Sequence, residues 1–159
     1  MKTACTLTAV AMILTFPLGS LHAELQWETN YQKALNRAAA ENKAVVMDFT
    51  GSDWCHWCMK LDKEILATPS FRQYAASNLV LLKVDFPSKT PIAADLKKQN
   101  ADLKNQYKVM GFPTLVILNP AGTEVDRIVG FLPVKDGPET LIARLQKFHP
   151  PRVTTYKQY

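Results

Sequence analysis

Ala44-Val45-Val46-Met47-Asp48-Phe49-Thr50-Gly51-Ser52-Asp53-Trp54-Cys55-His56-Trp57-Cys58 is the stretch on which the reading of this chain turns. Its first seven residues are nearly all apolar and include the β-branched Val45, Val46 and Thr50, the pattern of a strand covered on both faces. Gly51-Ser52-Asp53 is a loop. The cysteines then open a helical pattern in which Cys58, Leu61 and Ile65 share one face. Two cysteines at this spacing, with a strand before and a helix after, read as a pair that makes and breaks a disulfide.

The competing reading is zinc, which takes about four ligands. The histidines are His22, His56 and His149, and His56 lies inside the C-x-x-C, where it cannot readily share a tetrahedral centre with both cysteines. No metal and no cofactor are therefore expected. A structural staple explains the pair poorly, because bridging such close neighbours removes little unfolded-state entropy.

Upstream, Met1-Lys2 is a positive start, Leu7 to Leu18 is almost wholly apolar, and Leu21-His22-Ala23 ends in a small residue. That is the pattern of a secretory leader, residues 1–23, cleaved after Ala23. The apolar run is too short for a bilayer core, which needs about 20 residues, so no stable membrane insertion of the mature chain is expected. Cys5 leaves with the leader, and Cys55 and Cys58 remain as the only thiols. In an oxidising compartment they suit redox work.

A 159-residue chain with 47% apolar residues has the length and composition of one domain. The net charge of +5 is scattered. Lys97, Lys98, Lys104 and Lys108 fall at helical spacings with acids between, a solvated helix face and not a nucleic-acid patch.

Working outward, Thr29 to Glu41 reads as a helix capped by Thr29 or Asn30, with Tyr31, Ala34, Leu35 and Ala38 on one stripe. Thr68-Pro69 interrupts the helix after the cysteines, and Ser70 to Ala76 starts another turn or two. Leu79 to Phe86 is a second strand ended by Pro87. Pro91 opens a helix to about Tyr107, with Asn100 as a break. Thr114 to Leu118 and Thr123 to Val129 form a hairpin around Asn119-Pro120-Ala121-Gly122. Gly137-Pro138 starts a last helix through Phe148, and residues 150–159 form a loose tail. The order predicts an α/β fold over 24–149, a central mixed β-sheet flanked by helices on both faces.

Three separated pieces resemble the thioredoxin superfamily. They are the strand bearing Asp48-Phe49, the Trp54-Cys55-x-x-Cys58 motif, and Gly111-Phe112-Pro113-Thr114, which is similar to the family's cis-proline loop. Phe49 to Cys55 with Trp57-Cys58-Met59-Lys60 further resembles the secreted bacterial branch of DsbH-type periplasmic disulfide reductases.

The resemblance implies a thioredoxin-like fold with Cys55 as nucleophile and Cys58 as resolving thiol. It implies that Asp48 is a buried acid assisting proton transfer, where the other reading is an Asp facing solvent at a strand end. Lys83 resembles that acid's lysine partner, or is an edge-strand charge. Six residues separate Asp48 from Cys55, one more than in thioredoxin, so the loop must bulge at Gly51 or Ser52. Phe112 and Pro113 would pair with a bound substrate backbone, unless Pro113 is an ordinary trans proline. Trp54 either shields the sulfurs or meets substrate. His56 either tunes the thiolate or is a bland exposed residue, and Trp57 offers a substrate platform.

The implied function is a periplasmic thiol–disulfide oxidoreductase that reduces disulfides of exported proteins and is re-reduced by a membrane thiol-electron carrier. A monomer is expected, with no nucleic-acid partner. The alternatives are an oxidase or isomerase of the same fold, a non-catalytic thioredoxin-like binding module, and a metal- or haem-delivery thioredoxin.

Overall fold

The computed structural model describes residues 25–148. The expected leader with its cleavage site and Cys5, and the expected tail with His149, lie outside the described residues. Five strands form one mixed sheet in the order β1-β3-β2-β4-β5. They are β1 (Trp27–Glu28), β2 (Ala44–Thr50), β3 (Leu79–Asp85), β4 (Thr114–Leu118) and β5 (Glu124–Val129). β1 and β2 run parallel to β3, whereas β4 is antiparallel to both β2 and β5.

The helices are α1 (Tyr31–Glu41), α2 (His56–Leu61), α3 (Pro69–Asn78), α4 (Ala94–Gln106) and α5 (Pro138–Leu145). The period-2 alternation of β2 divides the core between them. Val45, Met47 and Phe49 pack with Ala34 and Ala38 of α1 and Leu103 of α4. Ala44 and Val46 face the other way, toward Leu61 of α2, Phe71 of α3 and Leu141 of α5. Helices therefore cover both faces, as the alternation of elements implied.

Local chemistry sets the boundaries. Asn30 caps α1, its side chain accepting the Lys33 N–H at 2.8 Å, and Asn42 ends it in the left-handed region at φ 50°. Thr68 caps α3, with Pro69 in the first turn where no N–H is required. α2 does not stop at Leu61 but runs on as a π-helical turn, Asp62–Leu66, which keeps Cys58, Leu61 and Ile65 on the buried side.

Three expectations need correction. Pro91 is not in a helix: α4 begins at Ala94, and Pro91 continues a loop whose preceding residues, Ser88 to Thr90, are held by Asp53. Asn100 does not break α4. It is buried, and its side-chain amide donates to the Asp85 carbonyl at 2.8 Å, tying α4 to the end of β3. The last helix is α only to Leu145 and finishes as a 3-10 turn, Gln146–Phe148. β1 was unanticipated, since two residues are too short to carry a period; it pairs Trp27 with Leu81 and Glu28 with Leu82.

Candidate active site

Cys55 occupies the N-cap of α2, and its Sγ accepts the Cys58 N–H at 3.3 Å. The cysteines are joined by a disulfide, with Cα atoms 5.2 Å apart. Cys55 retains 8% exposure and Cys58 3%, so the first sulfur is the more reachable. A helix N-terminus presents unpaired N–H groups and the positive end of the dipole, which favours a thiolate at Cys55 once the bond is reduced.

The loop before Cys55 accommodates its extra residue by a turn, in which the Gly51 carbonyl accepts both the Trp54 N–H at 3.3 Å and the Cys55 N–H at 2.9 Å. Each of the next three residues is fastened to the segment that runs from Asp85, the last residue of β3, to Thr90. Ser52 donates from its backbone N–H, at 3.0 Å, and from its hydroxyl, at 2.5 Å, to the Asp85 carboxylate. The Asp53 carboxylate accepts the N–H groups of Ser88, Lys89 and Thr90 at 2.8–2.9 Å. Those backbone donors hold Asp53 down at about 2. Trp54 donates from Nε1 to the Phe86 carbonyl at 2.8 Å. Its ring lies over Gly51, where an added Cβ would meet it at 2.5 Å.

Aromatic contacts then close a circuit around the sulfurs. Trp54 meets Phe112 edge-on at 6.0 Å, and Phe112 stacks on Phe86 at 5.1 Å. The Phe112–Pro113 bond is cis, which removes the reading of Pro113 as an ordinary trans proline. The Gly130 N–H donates to the Pro113 carbonyl at 2.8 Å, and the adjacent Phe131 stacks on Trp57 at 5.7 Å. Pro113 is thereby held between the two loops that grip Trp54 and Trp57. Both tryptophans remain half-exposed, at 50% and 48%, so Trp54 packs on its loop while leaving one face to solvent. His56 is exposed, its ring 5.4 Å from that of Trp57.

Beneath the pair, Asp48 lies on the α2 side of the sheet, in alternation with Ala44 and Val46. It is 3% exposed, and its Oδ1 has no hydrogen-bond partner. Burial raises its pKa from 3.8 to about 7; Lys83 pulls it down, while Asp62 and Asp85 push it up. Lys83 is its register partner on β3. β1 pairs with that strand only at Leu81 and Leu82, so Lys83 has β2 on one side and lies just past the end of β1 on the other. Its Nζ also sits 5.3 Å over the Trp27 ring. Asp62, which opens the π-helical turn after α2, is the stronger in effect of the two carboxylates whose negative charge pushes Asp48 up.

The structure thus gathers Cys55, Cys58, Trp54, His56, Trp57, Phe112 and Pro113 at one end of the sheet, with Asp48 and Lys83 beneath. Ser52, Asp53, Phe86 and Phe131 are contributors that the sequence reading missed. Their partners lie about 30 or more residues away, or across a hairpin, and no local pattern announces them. Among the described residues there is no cluster of three or more His, Cys, Asp or Glu placed to hold a metal. None of their helices is long and apolar enough to cross a membrane.

Strand order, a cysteine pair at the head of α2 and a cis proline beside it define the thioredoxin-like class of protein. The chain belongs to that family: the thioredoxin-like domain model matches residues 31–148. It is 41% identical over 111 residues to the disulfide bond reductase DsbH of Chlamydia pneumoniae, covering 70% of this chain and 66% of that protein. It is 28% identical over 127 residues to the thioredoxin-related protein DsbJ of the same organism, covering 76% and 36%. A solved DsbH oxidoreductase superposes with a TM-score of 0.74 at 34% identity, over 91% of this chain and 96% of that one. The matched stretches span no more than 66% of the two Chlamydia proteins' lengths.

Proposed function

We propose that this chain is an exported thiol–disulfide oxidoreductase that reduces disulfides of exported proteins. The observation that carries the reading is the asymmetry of the pair. Cys55 sits at the mouth and accepts a helix N–H, while Cys58 is buried on the side of the sheet that carries a raised-pKa carboxyl.

In the reduced chain the Cys55 thiolate attacks one sulfur of a substrate disulfide. A Cys55–substrate disulfide forms, and the first substrate sulfur leaves as a thiolate that takes a proton. Asp48, whose pKa burial raises to about 7, accepts the Cys58 proton directly or through water. The Cys58 thiolate then attacks Cys55 Sγ, expelling the second substrate thiol. The products are a reduced substrate and the Cys55–Cys58 disulfide. Phe112 and Pro113 border the substrate backbone and Trp57 offers it an apolar platform, while Lys83 moderates Asp48. Turnover requires a dithiol donor, which we assign to a membrane thiol-electron carrier.

Two measurements test the reading. Insulin reduction with dithiothreitol should be accelerated by the wild type and not by Cys55→Ser. The potential of the pair should fall nearer thioredoxin, about −270 mV, than the oxidase DsbA, about −120 mV. A value near the latter makes the chain an oxidase. Absence of acceleration favours the binding-module reading.

A further inference from the structure

Two lysines flank the cysteine pair, each set against an aromatic pair of the circuit. Lys60 Nζ lies 5.7 Å from the Trp57 ring centre and 5.2 Å from that of Phe131. Lys104 Nζ lies 5.6 Å from Phe112 and 6.0 Å from Phe86. An ammonium held against ring faces is localised by the ring quadrupole, so these charges stand at fixed places, one carried by α2 and one by α4.

The carboxylates around them are largely engaged. Asp53 accepts three backbone N–H groups, Asp85 accepts two bonds from Ser52, and Asp48 is buried. Glu64 reaches Lys60 only at 3.9 Å. Lys104 has no carboxylate partner among the described residues. Of the other titratable groups, His56 and Asp62 are exposed beside the pair, Lys83 lies beneath it facing Asp48, and Lys89 is in the loop bonded to Asp53. The residues next in sequence to this aromatic circuit add exposed apolar surface: Met110, two before Phe112, is 94% exposed, and Trp57, Val129 and Leu132, the last adjoining Phe131, are open as well. Apolar surface beside positive charge has its complement in an apolar peptide segment carrying negative charge.

We propose that this site selects among protein disulfides by charge, reacting fastest with those whose cysteines are flanked by aspartate or glutamate, which Lys60 and Lys104 receive. The inference rests on the oxidoreductase reading and names its substrate class. Opposite charge at the mouth acts mainly on the encounter rate, and salt removes that advantage.

The test uses the reduced full-length protein in single turnover against three otherwise identical peptide disulfides, their cysteines flanked by Glu, Gln or Lys. Each rate is divided by that peptide's rate with dithiothreitol, because flanking charge also changes the leaving thiol's pKa. The reaction is balanced without a further reductant: protein dithiol plus peptide disulfide gives protein disulfide plus peptide thiols. The expected normalised preference for Glu over Lys is about tenfold at low salt, falling to within about twofold near 0.5 M salt. The double variant Lys60→Glu/Lys104→Glu should invert the preference. The Gln-flanked peptide serves as the internal reference for any loss of fold. A preference at or below unity in the wild type, or one that survives charge reversal, overturns the proposal. Failure to reduce any of the three peptides overturns the oxidoreductase reading beneath it, whereas reduction of all three at equal normalised rates overturns the charge selection alone.

Discussion

Replacing Asp48 by Asn should change how the oxidised protein's stability depends on pH, with a sign fixed by burial. The carboxyl is raised from 3.8 to about 7. The folded protein therefore keeps a proton that the unfolded chain releases between those values. A folded-state pKa raised in this way contributes stability that is full below about pH 4 and is lost as pH climbs to 7. Three pH units at 1.36 kcal/mol each amount to about 4 kcal/mol. The Asp48→Asn side chain would not titrate and so lacks the slope, but its amide must find partners where Oδ1 of Asp48 has none, a pH-independent cost of about 1–3 kcal/mol. The wild type should be the more stable protein at pH 4 and the variant at pH 8, with the curves crossing in between. Urea unfolding at intervals from pH 4 to pH 8 reads the difference directly, and titrations common to both proteins cancel. Curves that stay parallel within about 1 kcal/mol across that range would refute the buried, partnerless carboxyl and its proposed proton role together.

Cys58→Ser should trap mixed disulfides with exported proteins through Cys55; non-reducing gels that yield adducts only through another residue, or none, contradict the order of attack. Gly51→Ala places a Cβ 2.5 Å from the Trp54 ring. The indole must leave Phe86, with a loss of about 1–3 kcal/mol and a red-shifted tryptophan emission, and unchanged emission would refute the contact. Asp53→Ala should speed amide exchange at Ser88, Lys89 and Thr90. Because Asp53 is held at about 2, below its unfolded value, its contribution in the wild type is present above about pH 4 and is lost only as pH falls through 2. Amides equally protected in both proteins would remove Asp53 from that role.

What the sequence made legible and what it hid divide along a physical line. β2, α1 and the β4–β5 hairpin were readable because burial on one or both faces imposes a period and because caps and turns are made by neighbours. Asn30 capping α1 is such a case. Cys55 and Cys58 were readable because their spacing and flanking elements suit a redox pair, whereas a cis bond at Pro113 was only what the thioredoxin resemblance implied, with a trans proline left open. Asp48 stood out as a charge within an apolar strand. Asn100 was misread for the converse reason: a polar residue in a helix looks like a break until the carbonyl it satisfies, that of Asp85, is known. The placement of Pro91 failed similarly. The loop from Phe86 to Ala93 takes its conformation from Asp53, and local propensity has no access to a hydrogen bond across more than thirty residues.

That same loop resolves the one mismatch with the thioredoxin pattern. An extra residue between the acid-bearing strand and the nucleophile would be expected to loosen the cysteine it precedes. Here Ser52, Asp53 and Trp54 are fastened in succession to the segment Asp85 to Thr90. That segment is fixed in turn by Asn100 of α4 and by the Phe86 N–H donating to the Thr50 carbonyl at 2.9 Å. The approach to Cys55 is therefore two chain segments bonded side by side. Lengthening one gave it more groups with which to hold the other. Cys55 keeps its place at the head of α2 because the residues that precede it are bonded to the neighbouring segment. A further residue inserted after Gly51, with no partner on the Asp85–Thr90 segment, should lack that compensation. It should slow attack by Cys55 while leaving urea stability within about 1 kcal/mol, since loop closure depends only weakly on length.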